Sequence, residues 1–369
     1  MLTLCSYALH AVAAEPVFRV VRTGVIYDGA PGYQPGIVRA PDGNLLVSFM
    51  SQGGIYTTQS FDNGLTWQKP QLVVEGAATS IGITKLRDGT ILWPFFQELV
   101  KMPCCRVRRY RAYVYRSKDN GRTWDGDAPI GIQIREPIPY GHIVQLPDGE
   151  LLMPVWGSYR LGDRWQVGTL ESRDDGRTWG SYRRIAYDPQ AGCRPDNGFN
   201  ETSIAELPDH TLLAILREQR VGTRDDSPGA GPCDHYTEPA DSLYRALSKD
   251  LGSTWSEPER LNLIGTSPAL HVLPDGTLML AFRNHPQHGT GTEHYGLAVR
   301  ASKDQGKTWT DEVDLRDPKG LRYNAKLQPG YPDLTDLPNS DILVVFHSIE
   351  MRDGVPQGYI ALNVLRRVK

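Results

Sequence analysis

Apolar residues in this chain come in short alternating runs, each broken by a polar turn, and the pattern returns at intervals along its length. The runs are "IVRAPDGNLL", "ITKLRDGTIL", "IVQLPDGELL", "IAELPDHTLL", "HVLPDGTLML" and "LTDLPNSDIL", spaced 46 to 66 residues apart. Alternating β-branched and leucine residues about a Pro-Asp-Gly turn predict a β-hairpin in each. A second element follows each of the first five hairpins: "SFDNGLTW", "SKDNGRTW", "SRDDGRTW", "SKDLGSTW" and "SKDQGKTW". A unit of about 60 residues holding four short strands is the length of a propeller blade, so six such units predict an all-β, six-bladed β-propeller. The sixth unit has no box, and too few residues follow "DILVVFHS" to complete it. The segment "PVFRVVRTGVIY" near the N-terminus is therefore expected to supply the last strand, close the ring and hide its edges. No long helical pattern or linker interrupts the repeats, which predicts one domain over residues 16–369.

The repeated box predicts a turn, not a reaction. Ser and Asp side chains hydrogen-bond to nearby backbone, Gly supplies a positive φ, and Trp covers the turn with an apolar face. Asp62, Asp119, Asp174, Asp250 and Asp304 fall on five separate outer turns and cannot converge on one substrate.

Charge and composition remove several classes of partner. The 369 residues carry 40 Lys+Arg against 43 Asp+Glu, a net charge of -3, so bulk charge draws in neither nucleic acid nor an anionic membrane. No segment beyond the N-terminus has the uninterrupted apolar length of a membrane span. The start, "MLTLCSYALHAVAAEP", lacks a basic n-region but otherwise reads as a signal peptide over residues 1–14, which predicts a secreted or periplasmic protein. Cleavage after Ala14 would leave Cys104, Cys105, Cys193 and Cys233, an even number suited to an oxidising compartment. A Cys193–Cys233 bridge and unbridged thiols both remain open. The "CC" pair has no zinc-ligand spacing, the insertion "GAGPCDHYTEP" lacks a second cluster, and no nucleotide loop occurs, so neither a metal nor a cofactor is expected.

The five boxes resemble the Asp-box, or BNR, repeats of the sialidase (neuraminidase) superfamily, and the resemblance spans nearly the whole chain. It implies a sialidase-like propeller with Asp-box turns; it says less about activity, because such repeats also occur in propellers with other functions. A propeller forms its pocket where residues just before each inner strand and just after each second strand converge. "NETSIAELPDHTLLAILR" resembles the sialidase segment in which a glutamate opens an inner strand and an arginine closes the next. That likeness implies Glu201 as a base and Arg217 as a ligand of a substrate carboxylate. "GYPDLTDLPNSDILVVF" resembles the segment bearing the nucleophilic tyrosine, here Tyr331. The pairing has a chemical reason: an anomeric carbon bearing a carboxylate repels a carboxylate nucleophile, whereas a neutral phenol approaches and gives its proton to the glutamate. Sialidases with a tyrosine nucleophile are a recognised exception to the two-carboxylate scheme. Arg283, in "FRNHP", faces the same rim as a second carboxylate ligand, and His142 and Glu98 are rim candidates for protonating the leaving oxygen.

The sequence also departs from the sialidase pattern. Where the first inner strand should begin Arg-Ile-Pro it reads "YQPGIV", with Tyr33 in the arginine's place. The first-blade loop that should carry the acid/base aspartate reads "SQGGIYTTQS" and contains no acid, and Arg300 lies deeper in its strand than the third arginine of the triad should. The expected function is an exo-acting glycoside hydrolase that releases terminal sialic acid or a related acidic sugar from glycans. The alternatives are a polysaccharide lyase or other glycosidase on the same propeller, and a glycan-binding propeller without catalysis.

Overall fold

The structure is a computed structural model that describes residues 17–79, 81–101, 108–126, 130, 135–158, 163–191, 197–220, 241–284, 295–310, 312–324 and 327–368. The segment read as a signal peptide and Cys104, Cys105, Cys193 and Cys233 lie outside the described residues. Among the described residues every regular element is a strand, and no helix is long and apolar enough to cross a membrane.

The strands form six antiparallel units. The first runs in order through Gly32–Arg39, Leu45–Ser51, Gly54–Ser60 and Gln71–Glu75. Units four and five share one sheet, because the long strand Glu259–Val272 is the outer strand of one and the inner strand of the next. Unit six pairs Gly330–Asp336, Ile342–Arg352 and Val355–Arg367, and its fourth strand is Phe18–Tyr27 from the N-terminal end. That is the expected closure, and the inner strand of unit six packs against that of unit one.

Alternation along the second strands explains why they read as continuous apolar runs. In "LLAIL", Leu212, Ala214 and Leu216 enter the cluster shared with blade three, while Leu213 and Ile215 enter the one shared with blade five. A strand packed on both faces has no polar side to show.

The boxes fold alike. In the third, Ser172 Oγ donates to Asp174 Oδ1 at 2.8 Å, and Oδ1 also accepts from the backbone N–H of Arg177 and Thr178. Thr178 Oγ1 donates to Oδ2 at 2.6 Å, and the Gly176 N–H closes on Ser172 Oγ at 2.8 Å. The Thr-to-Asp bond recurs at Asp62, Asp119, Asp250 and Asp304. The glycine has positive φ in all five, and so does the residue before it. Two successive left-handed residues make the tight reversal, which suits Asn63, Asn120 and Asp175 better than Leu251 or Gln305. The hydrogen bonds hold Asp174 ionised against its partial burial, with the pKa down at about 2.

Candidate functional site

The residues that could act on a substrate are aimed by one backbone device used repeatedly. Near its start each of four inner strands slips register against its partner, between Tyr33 and Gly36, Asn200 and Ser203, Thr266 and Ala269, and Gly330 and Asp333. The residue thrown out by each bulge is Gln34, Glu201, Ser267 or Tyr331, with φ of 51°, 39°, 55° and 52°. Left-handed backbone at a non-glycine residue costs on the order of 1–3 kcal/mol and collects where function needs it. For a residue as bulky as tyrosine it is an outlier.

Two of these residues meet. Tyr331 Oη donates to Glu201 Oε1 at 2.9 Å. Glu201 Oε2 accepts from the Ser267 backbone N–H at 2.9 Å and from Arg217 Nη1 at 3.0 Å. Burial opposes the charge on Glu201, but Arg217, the phenol and the Ser267 N–H outweigh it and hold the pKa below the usual carboxylate value. Burial and the Glu201 charge together push the Tyr331 phenol well up. The resting pair is therefore a neutral phenol on a buried carboxylate. The charges of Arg217 and Arg283 act the other way on Tyr331, favouring its phenolate.

Arg217 is held by more than one acid. Beyond Glu201, its Nε and Nη2 reach Asp241 Oδ1 at 2.9 and 2.8 Å, and Nη2 also donates to Gln219 Oε1 at 2.8 Å. Its fork is thus engaged by two acids, which hold Arg217 against Glu201. Burial opposes its charge, but the two acids raise its pKa still further.

A cavity of about 530 Å³ opens beside Tyr331, lined by Tyr33, Gln34, Met50, Arg283, Gln328, Tyr331, His347 and Ile349. Tyr33 stands in it where the sialidase pattern has arginine, held by the Gly358 N–H donating to its hydroxyl at 3.2 Å. Arg283 is in the wall as expected. His142 is not. Its Nε2 meets the buried Asp333 Oδ1 at 2.8 Å across the axis, and its ring lines a separate cavity of about 340 Å³ with Thr84, Lys85 and Asp336. That cavity lies toward the other end of the inner strands, so His142 cannot protonate a leaving group beside Tyr331. Glu98 belongs to the strand Ile91–Lys101 by its backbone, and its side chain lies outside the described residues. Arg300 is bound to Glu312 at 2.7 Å and to the Thr310 carbonyl, on the box side of its blade.

Sequence reasoning did not single out Asp241 and gave the Ser267 N–H no role. His347 was visible only as a polar residue ending an apolar strand. Among the described residues no group of three or more His, Cys, Asp or Glu could hold a metal ion.

Comparison with known proteins bears on the fold. A family profile described as "BNR repeat-like domain" matches residues 92–344. No curated protein sequence matches the chain. Among solved structures, a protein of unknown function from Dyadobacter fermentans superimposes with a TM-score of 0.75 at 21% identity, covering 96% of this chain and 100% of that one. The NanB sialidase from Streptococcus pneumoniae gives 0.61 at 13% identity over 92% of this chain and 70% of its own. An α-L-arabinanase from Penicillium chrysogenum gives 0.63 at 15% identity, over 94% and 98% respectively. At these identities the likeness is one of fold.

Proposed function

The chain belongs to the BNR repeat-like domain family, and we propose that it is an exo-acting glycoside hydrolase of terminal acidic sugars, with Tyr331 as nucleophile and Glu201 as its base. Arg283 is the cation beside the sugar's carboxylate. The observation that carries the reading is the 2.9 Å bond from Tyr331 Oη to the buried, ionised Glu201. As the phenol oxygen attacks the anomeric carbon its proton passes to Glu201 and the glycosidic bond breaks, with its electron pair leaving on the aglycone oxygen. Water then displaces Tyr331 from the sugar, and the positive charges of Arg217 and Arg283 favour the phenolate character that develops.

Among the described residues the lining of the pocket includes no carboxylic acid. An aryl leaving group needs little protonation, so an aryl sialoside is the substrate of choice for the test. Tyr331→Phe and Glu201→Gln should each lower its turnover by at least about 100-fold with the fold intact. Wild-type rates in both variants would refute the assignment.

A second reading has its own support. Tyr33 in place of an arginine, and an Arg217 engaged by Glu201 and Asp241, suit an uncharged sugar better than a sugar acid. The α-L-arabinanase shares the fold. Preference for an aryl α-L-arabinofuranoside over the sialoside would select this reading.

A further inference from the structure

The wall of the Tyr331 pocket contains a histidine whose geometry suits one task and excludes another. His347 lies on Ile342–Arg352, next to Ser348, whose hydroxyl binds Asp317 Oδ2 at 2.5 Å on the other face of the strand. The imidazole is fixed on three sides. It lies nearly parallel to Tyr331, with centroids 5.8 Å apart at 29°. Tyr33 meets it edge-on at 5.5 Å and 70°. Gly330 presses on the third side, where an added Cβ would come within 2.8 Å of Cε1.

We propose that His347 is a substrate-binding residue that donates a hydrogen bond through Nε2–H to a sugar oxygen in the Tyr331 pocket, as a permanently neutral imidazole. The tautomer follows from its neighbour. Nδ1 faces the backbone N–H of Gln34 at 3.5 Å, and a backbone N–H only donates, so Nδ1 is the acceptor and the ring proton sits on Nε2. The charge state follows from the surroundings. The residue is 6% exposed, its facing neighbours are Tyr33, Tyr331 and the cationic Arg283, and among the described residues no carboxylate is paired with it to hold a second proton. Burial, with Arg283 adding to it, lowers the pKa to about 3.

A neutral imidazole N–H is a good donor and a very weak acid. His347 therefore binds an oxygen and does not protonate a leaving group. This role rests on the pocket being the sugar site proposed above.

The first test needs no substrate. Imidazole nitrogen NMR on the intact protein, with His347 assigned among the nine histidines by its loss in His347→Phe, reads tautomer and protonation directly. The Nε2–H form, unchanged from pH 5 to 8, is expected; a midpoint inside that range, or an Nδ1–H ring, overturns the proposal. The second test uses the aryl sialoside and the aryl arabinofuranoside. On whichever is turned over, His347→Phe should raise KM about 10-fold with little change in kcat or in the shape of the pH profile, and His347→Gln should recover part of the loss. A collapse of kcat with loss of one limb of the profile would make His347 an acid and overturn the proposal. If the wild type cleaves neither glycoside, the proposed function falls, while the resonance experiment still decides the state of His347.

Discussion

Gly330→Ala tests how tightly the pocket wall is built. Gly330 is not in left-handed backbone, so alanine is permitted by conformation, and the added methyl would stand 2.8 Å from His347 Cε1. Comfortable carbon–carbon contact is about 3.5–4.0 Å, so the ring must retreat by roughly 1 Å. Tyr33 at 5.5 Å and Tyr331 at 5.8 Å restrict that retreat to the pocket side, where the ring is meant to meet substrate. Overpacking of this kind costs about 1–3 kcal/mol, and alanine returns about 0.4–1 kcal/mol by restricting the unfolded chain. The expected net loss is about 0–2.6 kcal/mol, or a few degrees in Tm at most for a protein of this size. The assay is a thermal or urea unfolding cycle over Gly330→Ala, His347→Ala and the double variant. Once the ring is gone the methyl has nothing to strike, so the double variant should be more stable than the sum of the singles predicts by about 1–3 kcal/mol. Because the methyl acts through His347, Gly330→Ala should raise KM by up to about 10-fold with little change in kcat, no more than loss of the imidazole itself does. Additive single effects would refute the packing argument.

Asp241→Asn removes the second acid from Arg217, so the guanidinium bears on Glu201 alone; Glu201 becomes a weaker base, and kcat for an aryl glycoside should drop about 10-fold while KM holds. Asp174→Ala deletes a side chain that accepts four hydrogen bonds in its turn, and should cost about 2–3 kcal/mol in urea unfolding without altering kcat/KM. His142 gives a pH signature. Burial disfavours its charge, but Asp333 at 2.8 Å overrides that and raises the pKa. A raised folded-state pKa means the contribution is fully present below the unfolded value of about 6.5 and is lost as pH rises through the folded value. Stability should therefore fall with pH from about 6.5 upward, and His142→Gln should flatten that slope in unfolding curves taken from pH 5 to 9.

What could be read from the sequence was whatever is written locally. A hairpin turn and a Ser-x-Asp-x-Gly turn are each decided within eight residues, so repetition exposed the blades, and the strand missing from the last blade pointed to Phe18–Tyr27. The site is written across blades. Glu201 and Tyr331 were legible because each carries a recognisable segment around it. The anchoring of Arg217 was not, because it depends on Asp241, 24 residues further along the chain. His142 was misplaced for a subtler reason. It sits in the break between Arg135–Pro139 and Val144–Gln145, where no strand alternation sets the direction of a side chain, so its distance from the strand start could not reveal which end of the axis it serves.

The repeated bulge explains how the fold and the chemistry come apart. At the bulge in blades one, four, five and six the backbone is nearly the same, with φ between 39° and 55°, yet it carries glutamine, glutamate, serine and tyrosine. Repeated backbone with unrepeated side chains means that the strain is a property of the scaffold, while the reaction belongs to whichever two neighbours happen to meet. Glu201 and Tyr331 are not on adjacent blades. Ser267 stands between them and contributes its backbone N–H to Glu201, a contact that survives any substitution that keeps the N–H. Exchanging Ser267 for alanine should therefore leave Glu201 ionised and the Tyr331 bond in place, with turnover within about threefold of wild type. Proline at the same position removes the N–H while excluding the left-handed φ of 55°. It should abolish activity, and an active Ser267→Pro protein would show that the bulge is not what aims the pair.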